Sequence, residues 1–222
     1  MVIILHGDDH DAILKRLTTF KKEARKRGWE IRHITYPKTI NEQLRTRGLF
    51  SQNSIFILKD VEALSQKEID LINKNINELG NTLVLYSERE LDKKIIKKFG
   101  QKVKIEFYKI PDLIWKFLES IYPENSTYVI NLFHEIIRGE VIEKIFFLLC
   151  RHFRDLYWSL ISPENMYYKS WKITKLKHQA CKFSEGKLKE IINDLAEIDI
   201  NVKTSNKNLS HALDLLFITK LE

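Results

Sequence analysis

The apolar run VIILHG near the start of the chain passes into HGDDHDAILKRL (residues 6–17), where two histidines and three aspartates fall within six positions. A turn between a strand and a helix is where phosphate loops sit, and a His/Asp cluster is a candidate metal site. Phosphate binding needs several glycines and a Gly-Lys-Ser/Thr ending, so that backbone N–H groups and a lysine surround the anion. Here Gly7 stands alone and the acids after it would repel phosphate; a G-x-G-x-x-G pattern is also missing. ATP or dinucleotide binding is therefore not expected at this loop. The metal reading yields to a plainer one, in which acids at a helix N-terminus satisfy free N–H groups and complement the dipole. None of the seven histidines falls in H-E-x-x-H, and G-x-S-x-G does not occur. No catalytic residue, metal site or cofactor is expected.

A second group worth weighing is Trp171 among Lys169, Lys172 and Lys175, following Tyr167-Tyr168. An aromatic ring can stack a base while lysines follow the phosphates, which makes these four residues a candidate nucleic-acid contact. Packing of Trp171 into a core is the preferred alternative. The basic stretches KKEARKR (21–27) and KKIIKK (93–98) are expected to be solvated helix ends favoured by the dipole. Cys150 and Cys181 are far apart and too few for a zinc site, so both are expected to be core thiols.

The elements that must position these residues fall into two halves. Residues 2–7, 30–37, 54–60, 82–88 and 103–110 are strand-like, several of them continuous apolar runs of the kind buried on both faces of a parallel sheet. Helical spacing recurs between them: Ile13, Leu14, Leu17, Phe20 and Ala24 before Gly28, then Ile69, Leu71, Ile72, Ile76 and Leu79 before Gly80, then about 91–99. Residues 1–110 are thus expected to form an α/β domain with a parallel sheet. After Pro111 no segment is strand-like, and helices are expected at 112–121, 125–138, 140–161, 172–182, 186–202 and 208–220, making 111–222 an all-α domain.

The 222 residues carry 37 Lys+Arg against 30 Asp+Glu, a net charge of +7. Residues 1–110 hold 22 basic and 15 acidic side chains and residues 111–222 hold 15 of each, so the whole excess lies in the first half. That balance permits nucleic-acid or acidic-protein partners. No run of about 18 apolar residues suggests a membrane span, and a cytoplasmic protein is expected.

One short stretch resists a purely structural reading. In RTRGLFSQNSIFILKD (45–60), Leu49 and Phe50 stand between a basic segment and a polar turn, just before an apolar strand. Loops usually stay polar because they run over the surface. On the residues alone, packing beneath the sheet edge is the favoured explanation.

Several stretches, in order, resemble the delta subunit of the bacterial DNA polymerase III clamp loader. VIILHGDDHDAILKRL is similar to that family's opening strand, acidic turn and helix, and TRGLFSQNSIFILKDVE to its Leu-Phe turn and following strand. NTLVLYSERELDKKIIKKF, LFHEIIRGEVIEKIFFLLCRHFRDLYW and LKHQACKFSEGKLKEIINDLAEIDINVKT continue the match. The resemblance implies a degenerate AAA+/RecA-like domain without a P-loop over 1–110, followed by a collar-like oligomerisation domain over 111–222. It implies a non-catalytic subunit that binds and helps to open the sliding clamp (beta) during replication. Its partners would be ATP-binding clamp-loader subunits and delta-prime, with primer-template DNA as a further contact. Carried over residue by residue, the clamp-binding plug is Leu49 and Phe50, with Arg47 at the position of the third contact. One departure is plain: the family's small helical lid between the two halves is missing. The competing readings are a stand-alone basic DNA/RNA-binding protein and a small phosphate-handling enzyme.

Overall fold

The computed structural model describes residues 1–34, 53–75, 82–100, 102–205 and 207–222. Two compact units, Met1–Ile110 and Pro111–Glu222, account for the chain. In the first, β1 (Val2–Gly7), β2 (Glu30–Ile34), β3 (Ser54–Lys59), β4 (Thr82–Ser87) and β5 (Val103–Tyr108) form one sheet in the order β2-β3-β4-β1-β5. All its pairings are parallel. Helices α1 (His10–Lys26), α2 (Gln66–Asn75) and α3 (Lys93–Lys98) cover it.

The alternation of side chains along a strand explains how the sheet is covered on both sides. Ile3, Leu5, Ile55, Ile57 and Val84 share a core with Ile13, Leu17 and Ala24 of α1. The intervening residues Val2, Ile4, Phe56, Leu58, Leu83 and Leu85 share another with Ile69 and Ile72 of α2 and with Phe99 beyond α3. Strands β1, β3 and β4 must be apolar at nearly every position, which is why their sequences are continuous hydrophobic runs. The edge strands β2 and β5 admit Glu30, Arg32 and His33, and Lys104 and Glu106. Glu106 is held by Arg16 through a paired contact of 2.7 and 2.9 Å and by Tyr108 Oη at 2.7 Å.

The second unit contains α4 (Asp112–Ser120), α5 (Ser126–Ile136), α6 (Ile142–Ile161), α7 (Ser170–Ala180), α8 (Glu185–Ser205) and α9 (Leu209–Leu221). Phe117 of α4, Phe133 of α5 and Phe217 of α9 meet with ring centroids 5.5–6.1 Å apart, two of the three pairs nearly edge-to-face. Phe153 of α6 meets Phe183, just beyond α7, at 6.3 Å. Gln179 ties α7 to the end of α4: its side-chain nitrogen donates to the carbonyl oxygens of Leu118 and Ile121, both at 2.8 Å. Further along, Ser184 Oγ accepts from Lys187 N at 3.1 Å and starts α8. The stretch HQACKFSEG thus ends one helix, caps a second and begins a third.

Two sequence expectations need correction. Cys181, the residue that ends α7, is exposed rather than buried. Cys150 is partly buried, and that burial pushes its thiol up to about 11. Trp171 does not enter the core: it sits in the first turn of α7 and is 64% exposed.

Candidate functional site

In open parallel sheets, ligands bind in the crevice beyond the carboxyl ends of the strands. Here that end of β1 is occupied by the chain's own hydrogen bonds. The Gly7 N–H donates to Arg89 O at 3.2 Å, and the Asp9 N–H to Tyr108 O at 3.2 Å. Asp8 Oδ1 accepts from Ile110 N at 2.8 Å. Asp9 Oδ1 accepts from Ala12 N at 3.1 Å, the capping role expected for this acidic cluster. His6 Nδ1 lies 3.3 Å from Leu91 N, accepting from it. Burial holds this imidazole below its ordinary pKa, Glu90 opposing more weakly, so the ring stays neutral and able to accept.

Gly7 explains why the turn can be so tight. Its φ is +142°, and a Cβ there would lie 1.8 Å from Tyr108 O. A loop drawn this close to β5 keeps its donors engaged with protein carbonyls, whereas a phosphate loop leaves them facing the ligand. At the ends of β3 and β4, Ser87 Oγ donates to Glu62 Oε1 at 3.1 Å and Lys59 pairs with Glu88 at 2.9 Å. Among the described residues, no group of three or more His, Cys, Asp or Glu is arranged to hold a metal ion.

Leu49, Phe50 and Arg47, expected as the clamp-binding turn, lie outside the described residues. The strand they lead into is described: Ser54–Lys59 pairs with both β2 and β4, and Ile55, Phe56, Ile57 and Leu58 are buried.

The other candidate group lies on α7 and the loop before it. Lys169 precedes the first turn, Trp171 stands exposed within it, and Lys172 Nζ sits 3.9 Å above the Tyr168 ring and 6.0 Å from the Trp115 ring. Lys175 points elsewhere, pairing with Glu119 at 2.5 Å. Tyr167, which the sequence showed only as a neighbour, is the most exposed large side chain here, at 96%, while Tyr168 turns inward and donates to Asp155 at 2.7 Å. No spacing rule for a loop could have separated the two tyrosines. The partner that decides it, Asp155, is thirteen residues upstream on α6, where Arg154 also holds it at 2.7 Å.

Comparison with known proteins adds a direct sequence match. Residues 112–220 match the family model described as DNA polymerase III delta subunit, C-terminal domain. No curated protein matches the chain significantly. Among solved structures, the chain is similar to the Bacillus subtilis DNA clamp loader delta protein, with 15% identity, 99% of this chain and 95% of that chain covered, and a TM-score of 0.46. It is also similar to a DNA polymerase III gamma subunit-related protein from Thermotoga maritima, with 12% identity, coverage of 99% and 93%, and a TM-score of 0.37. Drosophila ORC bound to DNA follows with 15% identity, coverage of 96% and 46%, and a TM-score of 0.35. The helical unit, over residues 112–220, thus resembles the C-terminal domain of the DNA polymerase III delta subunit.

Proposed function

We propose that this chain is a non-catalytic, delta-like clamp-loader subunit that grips the ring-shaped sliding clamp and favours its open form. The observation that carries the proposal is the match of residues 112–220, nearly the whole helical unit, to the delta C-terminal domain. The engaged loop at Gly7, Asp8 and Asp9 supports a subunit that leaves nucleotide chemistry to others. In this account Leu49 and Phe50 enter an apolar pocket on the clamp, and Arg47 stands beside them. Work is done by differential binding: a subunit that binds the open ring better than the closed one shifts the population without cleaving a bond.

Residues 1–110 would serve as the ATPase-like clamp-gripping domain, and residues 111–222 as the collar that joins ATP-binding loader subunits and delta-prime. Helix α9 supports an assembly role. It is apolar around most of its circumference, and a helix of that kind is usually covered on all sides. Leu213, Leu216, Phe217 and Leu221 are buried, yet Leu215 is 62% and Ile218 42% exposed. Between β5 and α4 only residues 109–111 intervene, so a lid domain has no place there.

The direct test is the affinity of the full chain for the sliding clamp of the same organism, with and without ATP. A complex whose strength does not depend on ATP supports the reading. Absence of any complex at micromolar protein would overturn it.

A further inference from the structure

We propose that β5 is the contact edge of a homodimer, in which the β5 strands of two copies pair antiparallel about a twofold axis at Ile105 and join their sheets. β5 ends the sheet, and among the described residues its neighbour there is β1. Its residues, VKIEFY, include neither proline nor glycine, and their pairing with β1 runs unbroken from Val103 to Tyr108. Proline, glycine and bulges are among the devices that usually blunt an edge. Hydrogen bonds at the two ends of the ladder show which backbone groups face outward. The Asp9 N–H donates to Tyr108 O, so the backbone of Tyr108 faces β1. Met1 O accepts from Leu83 N on β4, so by alternation Ile3 faces β4 and Ile4 faces β5. Ile4 lies opposite Ile105, and in a parallel ladder it bonds the residues on either side of that position, Lys104 and Glu106. Both routes leave the N–H and C=O groups of Val103, Ile105 and Phe107 on the open edge.

The side chains that accompany those groups are apolar and share one face of the strand. Val103 is buried, whereas Ile105 is 40% and Phe107 49% exposed. Phe107 rests against the buried His6 ring at 5.0 Å between centroids, which fixes its place on the sheet. The opposite face carries Lys104, Glu106 and Tyr108, with Glu106 held by Arg16.

The charges select the occupant and the register. With Ile105 opposite itself, the outward groups of Val103 meet those of Phe107 of the second copy, and Lys104 stands opposite Glu106 of the second copy. Symmetry makes that ion pair twice. Both are non-hydrogen-bonded positions, where opposing side chains come closest. Lys104 already reaches Glu106 of its own chain at 2.7 Å, and its side chain is exposed enough to lie between the two carboxylates. A slip of two residues one way sets Lys104 against Lys104, and the other way Glu106 against Glu106. Like charges directly opposite are destabilising, so one register is favoured. An unrelated strand would have to carry the same acid and base at matching positions, which a second copy brings by symmetry. A twofold contact also closes at two copies. This proposal goes beyond the clamp-binding reading and does not rest on it, since neither the clamp nor a loader subunit enters the test.

The test is sedimentation equilibrium on the full chain alone, over about 10 µM to 1 mM, with residue-resolved amide exchange at both ends of that range. A monomer–dimer equilibrium is expected. The amides of Val103, Ile105 and Phe107 should gain protection as concentration rises, while those of Lys104 and Glu106 stay protected throughout. Lys104→Gln should weaken the dimer about 2- to 30-fold, because two cross-strand ion pairs are lost. Ile105→Lys sets two ammonium groups against each other at the axis and should weaken it further. Both side chains are exposed, so neither change should move the melting transition much. Should Ile105→Lys disturb the fold, Lys104→Gln and the alternating amide pattern still decide the matter. A chain that stays monomeric throughout would overturn the proposal, as would assemblies that grow beyond two copies. So would a dimer whose new protection lies outside Val103, Ile105 and Phe107, or one that Lys104→Gln leaves as tight as the parent.

Discussion

Replacing Gln179 by leucine would remove three polar contacts in one step. The side-chain nitrogen donates to Leu118 O and Ile121 O at 2.8 Å each, and the side-chain oxygen lies 3.2 Å from His152 Nε2. Gln179 is buried, and leucine occupies a similar volume without supplying a donor. A buried acceptor left without a partner costs about 1–3 kcal/mol. Leu118 O keeps the Ile121 N–H at 3.4 Å, so the groups left short are Ile121 O and the His152 ring nitrogen; together they set a loss of roughly 2–6 kcal/mol, and since such terms rarely add in full we expect about 3 kcal/mol. Tryptophan fluorescence is a suitable readout, because Trp115, Trp158 and Trp171 lie in the helical unit and only Trp29 lies in the other. At about 4 °C per kcal/mol for a unit of this size, the melting transition reported by those residues should fall by about 10 °C or more. A loss below about 1 kcal/mol would refute the claim that Gln179 is what ties α7 to the end of α4.

Gly7→Ala should cost the sheet unit at least about 2–3 kcal/mol, since the new methyl meets β5 backbone and the residue keeps a positive φ. Hydrogen exchange should show β1 and β5 amides losing protection while the helical unit is unchanged; equal protection throughout would show that the turn relaxes freely. Acid should soften the two units in separate windows. Burial lowers His152 from 6.5 to about 4, against weaker opposing effects from Asp155 and the Gln179 hydrogen bond. The unfolded chain therefore binds a proton first, and helical-unit stability should decline as pH falls from 6.5 to 4. The decline should be about 1–2 kcal/mol, because solvent still reaches part of the residue. The Arg16 hydrogen bond brings Glu106 down from 4.5 to about 2, so the contribution of that pair is present above 4.5 and is lost as pH falls toward 2. Unit-resolved acid titrations with His152→Gln and Glu106→Gln should each flatten one window and leave the other; a change in both windows from either variant would contradict the assignment.

Most of the sheet unit was legible because burial on both faces forces β1, β3 and β4 to be apolar throughout, in short runs bounded by polar turns. The acids at 8–11 pointed to a helix cap somewhere in that cluster, and Asp9 provides it. What the sequence could not show was the second job of that turn, where Asp8 holds Ile110 N across 102 residues of chain. Long-range hydrogen bonds leave no local pattern. The helical unit was legible in the spacing of its apolar residues, yet Trp171 was misjudged. A tryptophan at the start of a lysine-rich helix gives no sequence sign of which side of the loop it leaves by. Tyr168 faces inward because Asp155 awaits it, and Tyr167 and Trp171 are left outside. Gln179 shows the reverse case: a polar residue in an otherwise apolar contact, whose capping of α4 depends on a helix end 58 residues earlier.

The central claim is that Leu49 and Phe50 bind the clamp rather than fill the core of their own domain. The most direct measurement pairs a urea melt with clamp affinity on one protein, the Leu49→Ala/Phe50→Ala double variant. If the two side chains bury only on the clamp, folding stability should stay within about 1 kcal/mol of the parent. Affinity should then fall by roughly 3–6 kcal/mol, the summed burial of two large side chains, or about 150- to 20,000-fold. A stability loss of about 2–5 kcal/mol per truncation, with unchanged affinity in the folded fraction, would contradict the account and return both residues to the core.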